Sequence, residues 1–242
     1  MMRAWQRVVA VLPAVVLAGA CGMLALTPQM RADDKKDSEP KPAPPGAIVL
    51  FDGKDLSGWV ARKGNGPAQW KVENGYMEVV PKTGDILTKA KFGDFQLHVE
   101  FWLPLMAKAT GQARANSGVY LQGRYEIQVL DSYNNDTYPD GAAGALYKII
   151  APSKNASKPP EQWQTYDITF RAPRVDAQGK VTEKGVVTVV HNGVTVIDNG
   201  LFDHPTGGEI DNQLGSPGPI LLQDHGNKVR FRNIWLKPLA GK

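Results

Sequence analysis

The sequence has almost no cysteine. Its one cysteine, Cys21, lies within an apolar run from Val8 to Leu26 that contains no charged residue. Arg3 and Arg7 precede this run, and small residues and then a charged segment follow it, which is the pattern of a secretory signal. We therefore expect an exported protein whose mature part contains no disulfide bond.

The same pattern sets the expected domain boundaries. Residues 1–32 are predicted to be a signal peptide or an N-terminal membrane anchor, because the apolar run is nearly long enough to span a bilayer. Cys21 lies in a short L-A-G-A-C motif that resembles a lipoprotein box, so lipidation is one alternative and cleavage after Ala32 is another. Residues 33–46 contain four prolines and are predicted to form a linker, and residues 47–242 are predicted to fold as one domain. The expected location is periplasmic or extracellular, with a membrane tether as one alternative.

The chain also lacks an excess of one charge. Its formal net charge is +4, but residues 1–32 contain three basic residues and no acidic one, which leaves 25 basic against 24 acidic residues. A nearly neutral chain has no electrostatic basis for binding nucleic acid, so no nucleic-acid partner is expected. The oligomeric state is not predictable from the sequence.

Motifs for metals and phosphates are missing as well. The sequence contains no His-x-His, no His-Glu-x-x-His and no phosphate-binding glycine loop, so no catalytic metal or cofactor is expected. Asp52 and Asp55, which lie in one turn with Trp59, are read as structural, with a bound calcium ion as the alternative.

Amphipathic helix patterns are absent too, whereas alternating strand patterns recur between Gly, Asn and Pro. The clearest strands are residues 95–102, 164–171 and 229–236, and Asn192-Gly193 predicts a tight hairpin. Many strands without repeats over about 200 residues predict an all-β sandwich of two antiparallel sheets.

Residues 116–131 carry the most informative pattern. Read at the two-residue period of a strand, their odd positions are almost purely apolar, and their even positions are Tyr120, Gln122, Arg124, Glu126 and Gln128. Planar amide and guanidinium groups beside an aromatic ring suit the paired hydroxyls and apolar faces of a sugar. We expect this polar face to lie beside the polar face of residues 95–102 on one concave sheet and to bind a carbohydrate.

Four blocks of the sequence resemble one known family. They are LFDGKDLSGW at 50–59, NSGVYLQGRYEIQVLDS at 116–132, GAAGALY at 141–147, and the segment 218–234 that contains LLQDHG and VRFRNI. In this order they resemble the 3-keto-disaccharide hydrolase domain family. The resemblance implies a concanavalin A-like jelly roll that cleaves glycosides whose sugar carries a ketone at C3, a substrate that a separate sugar oxidase would supply.

A ketone at C3 acidifies the proton at C2, so a base can remove that proton and the substituent at C1 can leave by elimination, after which water adds. As hypotheses, Glu126 or His225 is the base, and Asp131 or Asp224 is the proton donor or orienting group. Arg124, with Gln128 or Gln223, is expected to bind the enolate and hydroxyl oxygens. Further candidates for substrate binding are Gln122, Tyr120, Asn116, Arg230, His98, Trp102 and Tyr147.

Two alternatives stay open. His225 lies in an Asp-His-Gly-Asn segment that a plain hairpin turn would also explain. The whole domain could instead be a lectin-like module that binds glycans without cleaving them, because this fold is used for both purposes. The segment 126–131 also resembles the E-x-D-x-x-E strand of laminarinase-type glucanases, but Gln128 replaces its middle acid, which disfavours that chemistry.

Overall fold

A computed structural model describes residues 39–239, so the predicted signal or anchor segment and the first part of the predicted linker lie outside the described residues. Within this range the chain forms β-strands and two short 3-10 helices, at Gly111–Ala113 and Pro139–Gly141. The strands, in chain order, are β1 Ile48–Phe51, β2 Trp59–Ala61, β3 Lys71–Glu73, β4 Tyr76–Glu78, β5 Ile86–Thr88, β6 Phe95–Trp102, β7 Asn116–Leu121, β8 Tyr125–Leu130, β9 Trp163–Arg171, β10 Arg174–Val175, β11 Val181–Glu183, β12 Gly185–His191, β13 Val194–Phe202, β14 Leu221–Leu222 and β15 Arg230–Pro238. Over residues 39–239, none of the helices has the length and apolar character needed to cross a membrane.

Two antiparallel sheets contain most of these strands. The large sheet has the order β13-β12-β9-β6-β15-β4-β3, with β1 also paired to β15. The small sheet has the order β2-β5-β14-β7-β8, and β10 and β11 form a separate pair. The strands of the large sheet alternate between buried and more exposed side chains: in β9 and β12 nearly every second side chain is buried.

The hydrophobic core lies between the two sheets. Leu97 and Val99 of the large sheet and Val119 and Ile127 of the small sheet belong to one cluster of fully buried side chains. This arrangement confirms the predicted all-β, concanavalin A-like jelly-roll sandwich. The predicted hairpin at Asn192-Gly193 is also confirmed, because β12 and β13 pair across these two residues, which both have positive φ angles.

The informative segment 116–131 is a hairpin of β7 and β8 rather than one continuous strand. Gln122, Gly123 and Arg124 form its turn, and the first two have φ angles of 53° and 67°. In this register Tyr120 lies opposite Glu126 and Gly118 opposite Gln128, so even-numbered residues pair with even-numbered residues. The polar face therefore stays on one side of the small sheet even though the chain reverses direction.

The expected juxtaposition of this face with residues 95–102 is wrong. Strand β6 lies in the large sheet, and β7 and β8 lie in the small sheet. The segment around His225 is not a hairpin either, because β14 before it and β15 after it belong to different sheets. Strand pairing depends on partners far away in the chain, so period-two alternation alone does not reveal it.

Candidate active site

A cavity of about 380 Å³ opens on the face of the small sheet that points away from the core. This volume falls within the range of about 300–1,000 Å³ that is typical of small-molecule sites. Seven residues predicted from the sequence line it: Asn116, Tyr120, Glu126, Gln128, Tyr147, Gln223 and His225. Five residues that the sequence did not reveal complete the wall: Gln112, Tyr138, Thr206, Gly207 and Gly208.

Glu126 is the buried carboxylic acid of this cavity, and only 4% of the residue is exposed. Burial raises the pKa of its carboxyl group to about 7, and the negative charge of Asp85 acts in the same direction. The Tyr120 hydroxyl donates a hydrogen bond of 2.9 Å to Glu126 Oε2 and partly offsets this rise. At neutral pH the carboxyl group is therefore present in both protonation states, which suits a general base.

The absence of a side chain at Gly118 makes room for this carboxyl group. A Cβ atom at Gly118 would lie 2.5 Å from Glu126 Oε1 and 3.0 Å from its carboxyl carbon. The Glu126 side chain therefore lies across the neighbouring strand β7, above Gly118. A residue with a side chain at position 118 would displace the carboxylate.

Amide groups form the floor beside Glu126. Gln128 Nε2 donates to Gln112 Oε1 at 3.0 Å, and Gln112 Nε2 donates to the Gly141 carbonyl at 2.8 Å. Gln223 Nε2 donates to the Tyr120 hydroxyl at 3.3 Å. The Oε1 atoms of Gln128 and Gln223 are buried, and no donor among the described residues reaches them. Both amide side chains line the cavity, and amide groups of this kind suit the hydroxyl groups of a sugar.

Two tyrosines lie on the opposite side of Glu126 from β7. The Tyr147 backbone N–H donates to the Glu126 carbonyl at 3.0 Å, so the segment of Tyr147 runs directly beside β8. The Tyr138 and Tyr147 hydroxyl oxygens are 2.7 Å apart. Lys148 places its ammonium group 3.3 Å from the centre of the Tyr138 ring.

The segment Thr206-Gly207-Gly208 closes the cavity above Glu126. The Glu126 backbone N–H donates to Thr206 Oγ1 at 2.8 Å. At Gly208, which has a φ angle of 70°, a Cβ atom would lie 2.8 Å from the Tyr120 hydroxyl oxygen. The glycine therefore allows the loop to approach Tyr120 closely.

The structure does not bring Arg124 and Gln122 to the cavity. Both belong to the turn region of the hairpin, where the alternation of the strands stops. Arg124 is 1% exposed, forms an ion pair with Asp211 and donates to the Ser216 carbonyl at 2.9 Å. Gln122 Nε2 donates to the carbonyls of Phe92 and Gly93, at 3.0 Å each.

Asp131 and Asp224 also lie outside the cavity lining. Asp131 is 1% exposed and pairs with Arg114 at 3.3 Å, an interaction that links it to the segment before β7. Asp224 accepts hydrogen bonds from the backbone N–H groups of Gly84 and Gly226 and so stabilises the chain after β14. Neither carboxyl group is available to the cavity as a proton donor.

Three further candidates, His98, Trp102 and Arg230, belong to the large sheet. His98 is fully buried there and contacts Asp167 at 2.8 Å through Nδ1. Arg230 pairs with Glu78 at 2.6 Å and stacks on the Trp102 ring at 4.2 Å. Placing His98 and Trp102 at the site followed from the wrong expectation that β6 shares a sheet with β7 and β8, whereas Arg230, assigned from the block 218–234, lies on β15 of the large sheet.

The residues missed by the sequence analysis lie outside the strands. Gln112 belongs to the first 3-10 helix, and Tyr138 directly precedes the second. One signal was present for the loop after β13, because Gly207-Gly208 is a pair of residues suited to close backbone approach. No periodic pattern marks Gln112 or Tyr138.

Within residues 39–239 no group of three or more His, Cys, Asp or Glu residues is arranged to hold a metal ion. Asp52 accepts hydrogen bonds from the side chain and backbone of Lys54, and Asp55 accepts one from the Ser57 backbone. These contacts are those of a local turn.

Comparison with known proteins identifies relatives of the whole domain. Residues 46–237 match the family described as the 3-keto-alpha-glucoside-1,2-lyase-like domain. A protein of Bacteroides thetaiotaomicron named 3-keto-disaccharide hydrolase is 27% identical over 232 residues, which cover 80% of this chain and 79% of that protein. A crystal structure from Parabacteroides distasonis, described as a candidate glycosyl hydrolase, is 44% identical with a TM-score of 0.76 over 81% of this chain and 85% of that one. A second structure from the same organism, with the same description, is 20% identical with a TM-score of 0.61 over 88% of this chain and 99% of that one, and shows the same fold.

Proposed function

The chain belongs to the 3-keto-alpha-glucoside-1,2-lyase-like domain family, a glycosidase-type family, and we propose that it cleaves the glycosidic bond of 3-keto-glycosides through removal of the proton at C2. The observation that carries the proposal is Glu126, a buried carboxylic acid with a pKa raised to about 7 inside a cavity of sugar size. A base of this pKa is half ionised near neutral pH and strong enough to act on the acidified C2 proton.

The proposed reaction has two stages. The Glu126 carboxylate takes the C2 proton, and the electron pair of the C2–H bond forms an enolate with the C3 carbonyl. The carbonyl then re-forms, a double bond forms between C1 and C2, and the bond from C1 to the glycosidic oxygen breaks. Addition of water to this unsaturated product, with the hydroxyl at C1 and a proton at C2, gives the free 3-keto sugar.

Other cavity residues support binding of this substrate. The amide side chains of Gln128 and Gln223 line the cavity and offer hydrogen-bonding groups for the hydroxyl groups of a sugar. His225 lies exposed at the edge of the cavity, where an imidazole could exchange protons with solvent or act as an alternative base.

The test is turnover of a 3-keto-β-glucoside and of 3-keto-trehalose, followed by NMR. We expect Glu126→Gln to lower turnover by about 1,000-fold, because general-base catalysis contributes about 10²–10⁴. Glu183→Gln is the matched control, because it makes the same change at an exposed carboxylate that pairs with Arg171. Unchanged turnover in Glu126→Gln, or binding of unoxidised glycans without turnover of any keto substrate, would refute the proposal, and the latter result would identify a lectin-like module.

We also propose that the protein acts outside the cytoplasm. The support is the apolar run of residues 8–26 with its preceding arginines. Cell fractionation tests the location, and Cys21→Ser tests lipidation. Release of the variant from the membrane fraction is expected if Cys21 carries a lipid, and an unchanged distribution is expected if the segment is cleaved or serves as a spanning anchor.

A further inference from the structure

The proposed elimination needs a proton for the glycosidic oxygen that leaves C1. The two carboxylic acids expected to supply it, Asp131 and Asp224, are held elsewhere by Arg114 and by the backbone of residues 84 and 226. The donor must therefore be another group of the cavity.

Two of the cavity hydroxyl groups already donate their protons to groups of the protein. Tyr120 donates its proton to Glu126 Oε2, and its oxygen accepts a hydrogen bond from Gln223. Thr206 Oγ1 donates to the Arg124 carbonyl at 3.2 Å and accepts from the Glu126 backbone. Both hydroxyl groups therefore take part in hydrogen bonds that hold the site together.

The Tyr138–Tyr147 pair is different. Its two oxygens are 2.7 Å apart and share one hydrogen bond, so one hydroxyl donates to the other and the second proton stays free for a third group. When Tyr138 is the donor, the free proton is that of Tyr147. Both side chains line the cavity and are only partly buried.

Tyr147 also has the right position relative to the base. Its backbone N–H bonds to the Glu126 carbonyl, so the backbones of the two residues run side by side about 5 Å apart, and both side chains line the cavity. The two atoms that they would serve, C2 and the oxygen on C1, are close together on the sugar. The amide side chains of Gln223 and Gln128, which also line the cavity, are too weakly acidic to give up a proton and suit hydroxyl groups instead.

We propose that Tyr147 donates the proton to the glycosidic oxygen and that Tyr138 positions it; this inference rests on the function proposed above. As Glu126 takes the C2 proton, the electron pair of the C1–O bond moves to the glycosidic oxygen, and the Tyr147 O–H proton bonds to that oxygen. The phenolate that remains accepts the Tyr138 hydrogen bond and regains a proton from water. The Lys148 ammonium, 3.3 Å from the centre of the Tyr138 ring and 5.8 Å from that of Tyr147, stabilises the negative charge.

The leaving group provides the test. Nitrophenolate leaves without protonation, but the alkoxide of an alkyl alcohol requires it. With a 3-keto-β-glucoside of methanol, we expect Tyr147→Phe to lower kcat/KM by about 100-fold, in the range of general-acid catalysis. With the 4-nitrophenyl analogue, the same variant should lose less than about fivefold.

Tyr138→Phe and the double variant test the assignment of roles. Tyr138→Phe should lower turnover of the methyl substrate by about tenfold, and the double variant should be no worse than Tyr147→Phe, because both residues serve one proton transfer. Tyr133→Phe is the matched control, because Tyr133 is 39% exposed and does not belong to the lining of the cavity.

Exchange of the C2 proton in D₂O separates this inference from the proposed function. Each tyrosine variant should exchange the C2 proton of 3-keto-1-deoxyglucose at the wild-type rate, which also shows that the variant is folded, whereas Glu126→Gln should not exchange it. Equal losses with both leaving groups, or a methyl-selective loss in His225→Ala with no effect in Tyr147→Phe, would overturn the inference. If the wild-type protein neither exchanges the proton nor turns over any keto-glycoside, the proposed function itself fails.

Discussion

At the scale of single residues, Glu126 couples the chemistry of the site to the stability of the protein. Burial raises its pKa to about 7 from a usual value of 4.5, so the folded protein holds this proton more tightly than the unfolded chain does. The stability from the neutral carboxyl group is fully present below pH 4.5 and is lost as the pH rises through 7. The proposed catalytic base thus costs the fold stability at the pH at which the reaction needs its ionised form.

This linkage predicts that Glu126→Gln stabilises the protein in a pH-dependent way. One pKa unit corresponds to about 1.4 kcal/mol, so the rise from 4.5 to about 7 amounts to a gain on the order of 3 kcal/mol at pH 8.5. At pH 4 the variant and the wild type should be equally stable. Urea unfolding at both pH values measures the difference, and an equal gain at pH 4 would contradict the proposed cause.

Gly118 is a second residue that determines the geometry of the site, because it has no Cβ atom. A Cβ at this position would lie 2.5 Å from Glu126 Oε1, so Gly118→Ala should displace the carboxylate and lower kcat/KM by about 100-fold. The melting temperature should change little, because alanine suits a strand at least as well as glycine. Gly66→Ala serves as the control, since no atom lies within 4 Å of the added Cβ. Wild-type activity in Gly118→Ala would show that the carboxylate tolerates displacement.

At the scale of elements, the hairpin of β7 and β8 and the loop after β13 build the cavity together. The hairpin turn holds this loop: Arg124 pairs with Asp211, and the Gly123 carbonyl accepts the Ile210 backbone N–H. Thr206, at the start of the same loop, bonds to the backbone of Glu126. Arg124 was expected to bind substrate, but its interactions with the loop make it a positioning residue for the cavity wall.

This arrangement predicts that Asp211→Asn both destabilises the protein and weakens substrate binding. The guanidinium of Arg124 is buried and would lose its carboxylate partner, at a cost of about 2 kcal/mol. Because the loop carries Thr206, KM should rise by about tenfold with a smaller change in kcat. Asp203→Asn is the control on the same loop, because Asp203 forms an exposed ion pair with Lys184. Equal effects of the two substitutions would rule out a special role for the buried pair.

At the scale of the whole molecule, the two outer faces of the sandwich carry different structures. The face of the small sheet holds the cavity. On the face of the large sheet, the Lys41 backbone N–H donates to Glu100 Oε1 at 2.9 Å, and Asn233 donates to the Lys41 carbonyl at 2.6 Å. Residues around Lys41, predicted to belong to the linker, therefore contact the sheet opposite the site.

We expect a chain that begins at residue 47 to be less stable than one that begins at residue 38, with the same kcat/KM. Burial alone would raise the pKa of Glu100, but hydrogen bonds, including the one from Lys41, hold it at about 2. The stability that Glu100 contributes is present above pH 4.5 and is lost as the pH falls through 2, so the difference between the two chains should be clear at pH 7. Thermal melting and turnover of a keto-glucoside measure the two properties, and a loss of kcat/KM would show that the segment acts on the site.

The sequence by itself determined which side chains share a face. Alternation is a local property of the extended backbone, and the three-residue turn at 122–124 pairs even with even positions, so Tyr120, Glu126 and Gln128 stay together whether or not the chain reverses. Only the tertiary structure decided which strands share a sheet and which residues contact partners far along the chain. His98 therefore lies in the large sheet with Asp167, and Arg124 lies with Asp211. The raised pKa of Glu126 has the same origin, because the loops that exclude water from it come from distant parts of the chain.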